Sequence, residues 1–521
     1  MWTRRTVLKA FTVGAGILAA PLPLRRALAG REPDLILRLT AAPDQTQIWP
    51  GSKTRVLRFT GQVLRGRADA LKPAPGFLGP TLELRRGERV RIQFQNRTRD
   101  PSIVHWHGMI VPDVADGHPR HAVGPGGDYT YEFTVQNPAG TYLYHPHPHG
   151  LTGAQVYNGL AGLLIVREPE EAAMGLPAGN RELALVIQDR RMGRDNQFIF
   201  KRMMMDDMNG VLGDTALVNG RPDAAFTVAP RIYRLRLANV SNARIYKLAW
   251  SDGRPMRVIA TDNGLLSSAE GIQTRPYLVL APFQRLELLE DFGARGARAE
   301  IALVSQAFSS LSMDAMMDGM MGGGGGGMMG GGGMMGGGMM GGGMGGMMGG
   351  MMGPDQGEEM LIARFTVASG TRVRDADVRL PDPVPLPEKT DTELHTQLAF
   401  RHMRGFQNGR RFDMQTVADD ERLPLGRAAV WTFTNDGPGM AMPHPMHIHG
   451  VRFRILERSG GTAADDLREG IVDAGYKDMF LIFPGERVRV GLVPVEPGMF
   501  MYHCHNLEHE DSGMMRNVVV G

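Results

Sequence analysis

A single cysteine, Cys504, excludes any intramolecular disulfide in this chain of 521 residues. In an oxidising compartment a lone thiol is a liability unless something occupies it. Long apolar runs are equally scarce. The one run, within Met1–Leu28, has Thr3-Arg4-Arg5-Thr6-Val7-Leu8-Lys9 at its head, then Ala10–Ala20, then Ala27-Leu28-Ala29. That order is the pattern of a twin-arginine export signal with its cleavage site, over residues 1–29, and it predicts a periplasmic location. As a membrane anchor the run is too short to cross about 30 Å of hydrocarbon, so no membrane attachment is expected after cleavage. Excess charge is missing too. Arg4, Arg5, Lys9, Arg25 and Arg26 are the leader's only charged side chains, and losing them takes the formal charge from +3 to about −2. Charge therefore gives no basis for a nucleic-acid partner.

Helical periodicity is absent as well, whereas 69 Gly and 34 Pro supply turns in abundance. Length suggests about three units of ~150 residues. Three strand-rich blocks answer to that, over 34–170, 178–370 and 388–521. In Arg89–Phe94, Val90, Ile92 and Phe94 alternate with polar neighbours, as a half-buried strand requires. Tyr129–Val135, Tyr233–Leu237 and Arg487–Val493 also read as strands, and the proline-rich join Leu380–Pro387 separates the second block from the third. Asn96, Asn239 and Asn435 each follow a strand-like run and open a loop, which points to repeated domains. The fold class is all-β, built of β-sandwiches. One segment stands apart: between Met313 and Met352 lie sixteen of the 36 methionines, set in glycine. Glycine resists both helix and strand, so 313–353 reads as an excursion from the second block, which resumes at Met360–Val367.

Four motifs carry the chemistry. They are His105-Trp106-His107-Gly108, His145-Pro146-His147, His444-Pro445-Met446-His447-Ile448-His449-Gly450, and His503-Cys504-His505-Asn506-Leu507-Glu508-His509 continuing to Met514. Together they hold ten of the fifteen histidines. In an extended strand residues i and i+2 point the same way, so each His-x-His pair projects two imidazoles onto one face. Four pairs offer eight imidazoles, enough for about three metal ions with positions left open for oxygen. Two pairs lie in the first block and two in the last, so the cluster belongs where these blocks meet. Cys504 must face opposite to His503 and His505, toward a different metal. With His444, His509 and the thioether of Met514 it makes two histidines and a cysteine with a weak axial sulfur, the blue-copper electron-transfer set. Zinc is the rival metal, but a tetrahedral zinc site needs neither eight imidazoles nor a separate sulfur site. An electron arriving at Cys504 has a covalent route to His503 or His505.

On these motifs, with His145-Pro146-His147-Pro148-His149-Gly150 as the longer form of the second, the sequence resembles the multicopper oxidases over nearly the whole mature chain. It is most similar to the periplasmic cuprous oxidase and bacterial laccase group. The resemblance implies three cupredoxin-like Greek-key β-sandwich domains and four copper ions. It implies that His105 and His447 hold the type 2 copper, and that His107, His145, His147, His449, His503 and His505 hold the type 3 pair. His444, Cys504, His509 and Met514 would hold the type 1 copper. Asp116 and Glu510 match acids that serve proton delivery during the reduction of dioxygen to water. His118, His121 and His149 fall outside the completed ligand set.

Three readings of function follow. In the first, Cu(I) is oxidised to Cu(II) as a step in copper tolerance. Thioethers prefer Cu(I), and Met440, Met442, Met313 and Asp318 are the candidate substrate residues, with room for an additional labile substrate copper. Two departures from cuprous oxidases stand out: the methionine insert precedes the Pro381–Pro387 join, and Met440 occupies an aspartate position. In the second reading the donors are phenols or aromatic amines, as for a laccase. In the third the chain is a copper-binding scaffold without catalysis, which a complete ligand set argues against. A monomer is expected.

Overall fold

Thirty-one strands in six sheets carry the structure, a computed structural model that describes residues 32–201, 205–308, 354–373, 375–384, 392–437, 442–461 and 465–521. The sheets come in three pairs along the chain. In the first unit a four-stranded sheet, with Leu35–Thr46 and Arg89–Asn96 at its centre, faces a five-stranded sheet containing Gly140–Pro146 and Val104–His107. The second unit pairs a seven-stranded with a five-stranded sheet, and the third pairs two five-stranded sheets. Each unit has its own apolar core, centred on Trp106, Trp250 and Trp431 respectively. The three cupredoxin-like sandwiches are present, and the architecture is all-β.

One topology recurs in all three. Leu35–Thr46 pairs parallel with Arg89–Asn96, Glu182–Arg190 with Ile232–Asn239, and Glu393–Arg401 with Ala429–Thr434. Parallel neighbours cannot be joined by a tight hairpin, so each such pair records the same crossover. The asparagines that close the second strand of each pair are buried and play one part. Asn96 Nδ2 donates to the carbonyls of Asp100 and Val123, at 2.8 and 2.9 Å. Asn239 donates likewise to Arg244 and Leu280, and Asn435 to Met442 and Ile482. Each amide ties the end of its strand to two neighbouring carbonyls through buried hydrogen bonds.

The strand Arg89–Asn96 alternates half-buried and buried residues throughout, as its sequence predicts. Ile232–Asn239 does not, because both of its faces are covered. Its arginines point into the junction with the first unit. Arg234 meets Glu287 and Glu171 at 2.6 and 2.9 Å, and Arg236 meets Glu287, Glu182 and Thr141. Buried charges need partners at this density, and the polar positions of the expected alternation are those partners. Apolar contacts join the units as well, with Leu143 and Val156 against Val186, Phe283 and Leu507.

Replacing Asn239 by alanine removes two buried hydrogen bonds, which costs about 2 kcal/mol. A fall of several degrees in the thermal unfolding midpoint, followed by circular dichroism on metal-free protein, is the expected outcome.

Candidate metal centre

Two strand pairs hold the cage. In the first unit Val104–His107 runs antiparallel to Gly140–Pro146 with His105 opposite His145. In the third, His444–Ile448 runs antiparallel to Gly498–Cys504 with His447 opposite His503. Each register brings two His-x-His pairs side by side on one face, and the two faces meet. All ten motif histidines are buried, as are Cys504 and Met514.

Across the meeting faces the ring nitrogens approach one another in three groups. His105 Nε2 lies 3.3 Å from His447 Nε2. His503 Nε2 lies 3.3 Å from His147 Nε2 and 3.0 Å from His449 Nε2. His107 Nδ1 lies 3.4 Å from His145 Nε2, with the His505 ring 4.9 and 5.1 Å from those two rings, centre to centre. The far nitrogens are anchored. His105 Nδ1 donates to the Asp116 carbonyl at 2.6 Å, His145 Nδ1 to that of Pro146 at 2.9 Å, and His447 Nδ1 to that of Asp478 at 2.8 Å. His449 Nδ1 donates to Asp116 Oδ2 at 2.7 Å. A proton held on one nitrogen fixes the ring and turns the other lone pair inward.

Burial, then the neighbouring rings, hold these histidines neutral. His105, His107, His447, His449 and His505 are pushed well below the usual imidazole range, His145 to about 3 and His147 to about 4. Neutral nitrogens so close repel unless a proton or a cation lies between them. His505 makes the case most directly, since neither of its buried nitrogens has a partner among the described residues. The cage fits a group of metal ions.

The sulfur site lies on the other side of the strand. Cys504 sits in the third unit's apolar core, its Sγ 3.4 Å from His444 Nδ1 and 3.6 Å from His509 Nδ1. His509 rides on the short helix Leu507–Asp511, whose first turn Asn506 caps by accepting from the amides of Glu508 and His509. Its Nε2 donates to the Met208 carbonyl at 2.7 Å. The Met514 carbonyl accepts from the Cys504 amide at 3.1 Å, which ties the axial thioether to the same core. Burial pushes the Cys504 thiol far up, so it stays protonated unless a metal ion replaces the proton.

Both predicted acids reach the cage. Asp116 holds His449 and His105, and burial, then Asp113, push its carboxyl well above the usual range. Burial alone would raise Glu510 too, but His147 and His503 hold it at about 2, with Oε2 3.2 Å from His503 Nδ1. The two acids are thus pushed in opposite directions. His118 bonds Asn517, His121 accepts from Arg120, and His149 is exposed beside Phe412, so none of the three joins the cage. Met442 is buried against Met208 and Phe400 near His509. Met313, Asp318 and Met440 lie outside the described residues. Four contributors went unread in the sequence. Phe283 packs 4.1 Å from His505, Asp478 and Arg285 lie behind His107, and Met208 holds His509. No spacing marks them, because they act through tertiary contact.

A buried thiol between two imidazoles, back to back with an eight-imidazole cage, defines a copper oxidase, and the comparisons agree. Two family models, both described as multicopper oxidase, match residues 66–171 and 383–521. A multicopper oxidase of Staphylococcus aureus is 28% identical over 486 residues, spanning 92% of this chain and 88% of the relative. The crystal structure of McoA multicopper oxidase from Aquifex aeolicus superposes with a TM-score of 0.75 at 28% identity, covering 94% of this chain and 97% of that one. A laccase from Pediococcus acidilactici gives 0.72 at 27%, covering 94% and 92%. The chain belongs to the multicopper oxidase family. It is a copper-dependent oxidoreductase.

Exchanging Cys504 for serine should remove the intense visible absorption of thiolate-bound copper and lower copper content by about one ion per chain, since a hydroxyl is a poor ligand for this site. Gly405 tests the axial sulfur. A Cβ there would collide with the Met514 side chain, 3.0 Å from its sulfur. Gly405→Ala is expected to shift the visible band and the reduction potential while leaving copper content unchanged.

Proposed function

We propose that the protein is a cuprous oxidase, taking electrons from Cu(I) at the sulfur site and passing them to dioxygen at the histidine cage. His444, Cys504, His509 and Met514 would hold the type 1 copper, and His105 and His447 the type 2 copper. His107, His145 and His505 would hold one type 3 ion and His147, His449 and His503 the other, four ions in all. When bound, copper supplies one-electron acceptance at the sulfur and four-electron delivery to dioxygen at the cage. Cys504 links the two through its own backbone, because the imidazoles on either side of it face the cage. Asp116 and Glu510, both within reach of cage histidines, would serve the four protons that water formation consumes.

The observation that carries the choice of donor is the cleft over His509. It is lined by Met208, Met442, Asp355 and Gln356 among others, and offers about 30 Å³ of room among the described residues. Pockets for organic molecules run to several hundred Å³. Thioethers beside a carboxylate suit a soft cation better than a ring. Asp355 and Gln356, which line the cleft, also stand two and three residues beyond 313–353 in the sequence. The laccase reading is favoured by one fact, the laccase among the solved relatives; outer-sphere transfer demands little specific binding, so phenols are expected as slower donors. The leader over 1–29 would direct export to the periplasm, and no described helix is long and apolar enough to cross a membrane.

Oxygen uptake with Cu(I) and with a phenol, in full-length protein and in a deletion of Gly319–Gly353, tests this. Loss of Cu(I) turnover with phenol turnover kept or raised is expected. Unchanged Cu(I) turnover would remove the insert from the mechanism. Met442→Leu should raise KM for Cu(I) roughly tenfold, the effect of about 1.4 kcal/mol of lost thioether binding, and leave the phenol rate alone.

A further inference from the structure

The middle unit contributes no histidine to the cage, yet it reaches two of the cage's ligands through one buried pair. Arg285 is fully buried and touches all three units. It donates to the Thr141 carbonyl of the first at 3.1 Å, to the carbonyls of Asp262 and Phe283 in its own at 2.8 and 3.0 Å, and to both oxygens of Asp478 in the third at 2.8 and 2.6 Å. Asn263 donates to Asp478 Oδ2 as well. So clamped, Asp478 presents two groups to the cage. Its carbonyl accepts from His447 Nδ1 at 2.8 Å, and its Oδ1 lies 3.1 Å from His107 Nε2. The second approach is poorly aligned as a hydrogen bond and acts as a charge against a ring N–H. A carboxylate at that distance favours the proton on Nε2, which leaves the Nδ1 lone pair facing His145. Gly108 makes the approach possible: a Cβ there would strike Asp478 Oδ2 and come within 2.6 Å of Arg285 Nη2.

We propose that Asp478, clamped by Arg285, is a positioning residue that selects the tautomer of His107 and the orientation of His447, so that the ligand-free middle unit sets the geometry of the cage. Asp478 could itself be a ligand on distance alone, since His107, His447 and Asp478 form a group near enough to hold an ion. Its oxygens are already engaged by Arg285 and Asn263, which assigns it to holding ligands rather than to being one. The inference rests on the reading of His107 and His447 as copper ligands.

The test uses copper-loaded full-length protein and Asp478→Ala, Asp478→Asn and Arg285→Lys. Copper per chain, the visible band of the Cys504 site, and the paramagnetic signal of the cage copper are measured, with chelator competition for affinity. Asp478→Ala is expected to keep the visible band while the cage loses copper to about tenfold less chelator, the usual effect of removing such a partner. Asp478→Asn keeps an oxygen facing His107 and should recover much of that loss. Full cage occupancy, unchanged affinity and an unchanged paramagnetic signal in Asp478→Ala overturn the proposal. If that variant lacks the visible band and does not fold, Arg285→Lys decides, because lysine keeps the charge but cannot grip both oxygens; a normal cage in it also overturns the proposal. Wild-type protein that binds only one copper would instead refute the ligand reading itself, whatever the variants do.

Discussion

Neutral imidazoles cannot be packed lone pair to lone pair without something positive among them, and that constraint governs this molecule. Separations of 3.0 to 3.4 Å between ring nitrogens of different strands are repulsive in a dry protein interior and favourable only around cations. Everything nearby serves to hold the rings in that arrangement. Strand register sets histidine opposite histidine, and carbonyls of Asp116, Pro146 and Asp478 take up the outer N–H groups. Burial pushes His105, His107, His145, His147, His447, His449 and His505 toward the neutral form. The interface between the first and third units is therefore built to fit metal ions, so that what would hold the two units together is also what would do the chemistry.

The pleat does the second part of the work. Because neighbouring side chains alternate across a strand, Cys504 lies in the apolar core of the third unit while His503 and His505 lie in the cage. No additional element is needed to connect the two sites, since one strand end belongs to both. The helix carrying His509 and the Met208 carbonyl then fix the histidine through which the sulfur site meets the cleft. The sulfur site and the cage are separated by the thickness of a strand.

The cage was legible in the sequence because the rule that reveals it is local. His-x-His on an extended backbone has one outcome, and a cysteine between two histidines has one outcome. The alternation of Val90, Ile92 and Phe94 was legible for the same reason, and it appears in the burial of Arg89–Asn96. Arg234 and Arg236 were misleading: their polarity reads as a solvent face, but Glu287, Glu171 and Glu182 arrive from elsewhere to neutralise them inside a junction. Asp478 and Arg285 were invisible, since nearly 200 residues separate two groups whose importance lies only in their contact. Residues that bind metal announce themselves by type and spacing; residues that aim them do not.

The recurring topology has a consequence for the loops that could carry ligands. In the first and third units the edge-side strand pairs Val104–His107 with Gly140–Pro146, and His444–Ile448 with Gly498–Cys504, bear the histidines. The corresponding pair in the second unit, Tyr246–Trp250 with Glu300–Ser305, bears none. In the third unit the loop after the second strand of this pair carries His509 and Met514 before Met515–Val520 returns to the sheet. In the second unit the same loop, between Glu300–Ser305 and Met360–Val367, carries the methionine-rich stretch. The three units thus share one strand arrangement, with histidines on the ligand strands of the first and third and none on those of the middle one. A loop that holds ligands in one unit is thereby open to a different sequence in its counterpart, and here that sequence is methionine and glycine.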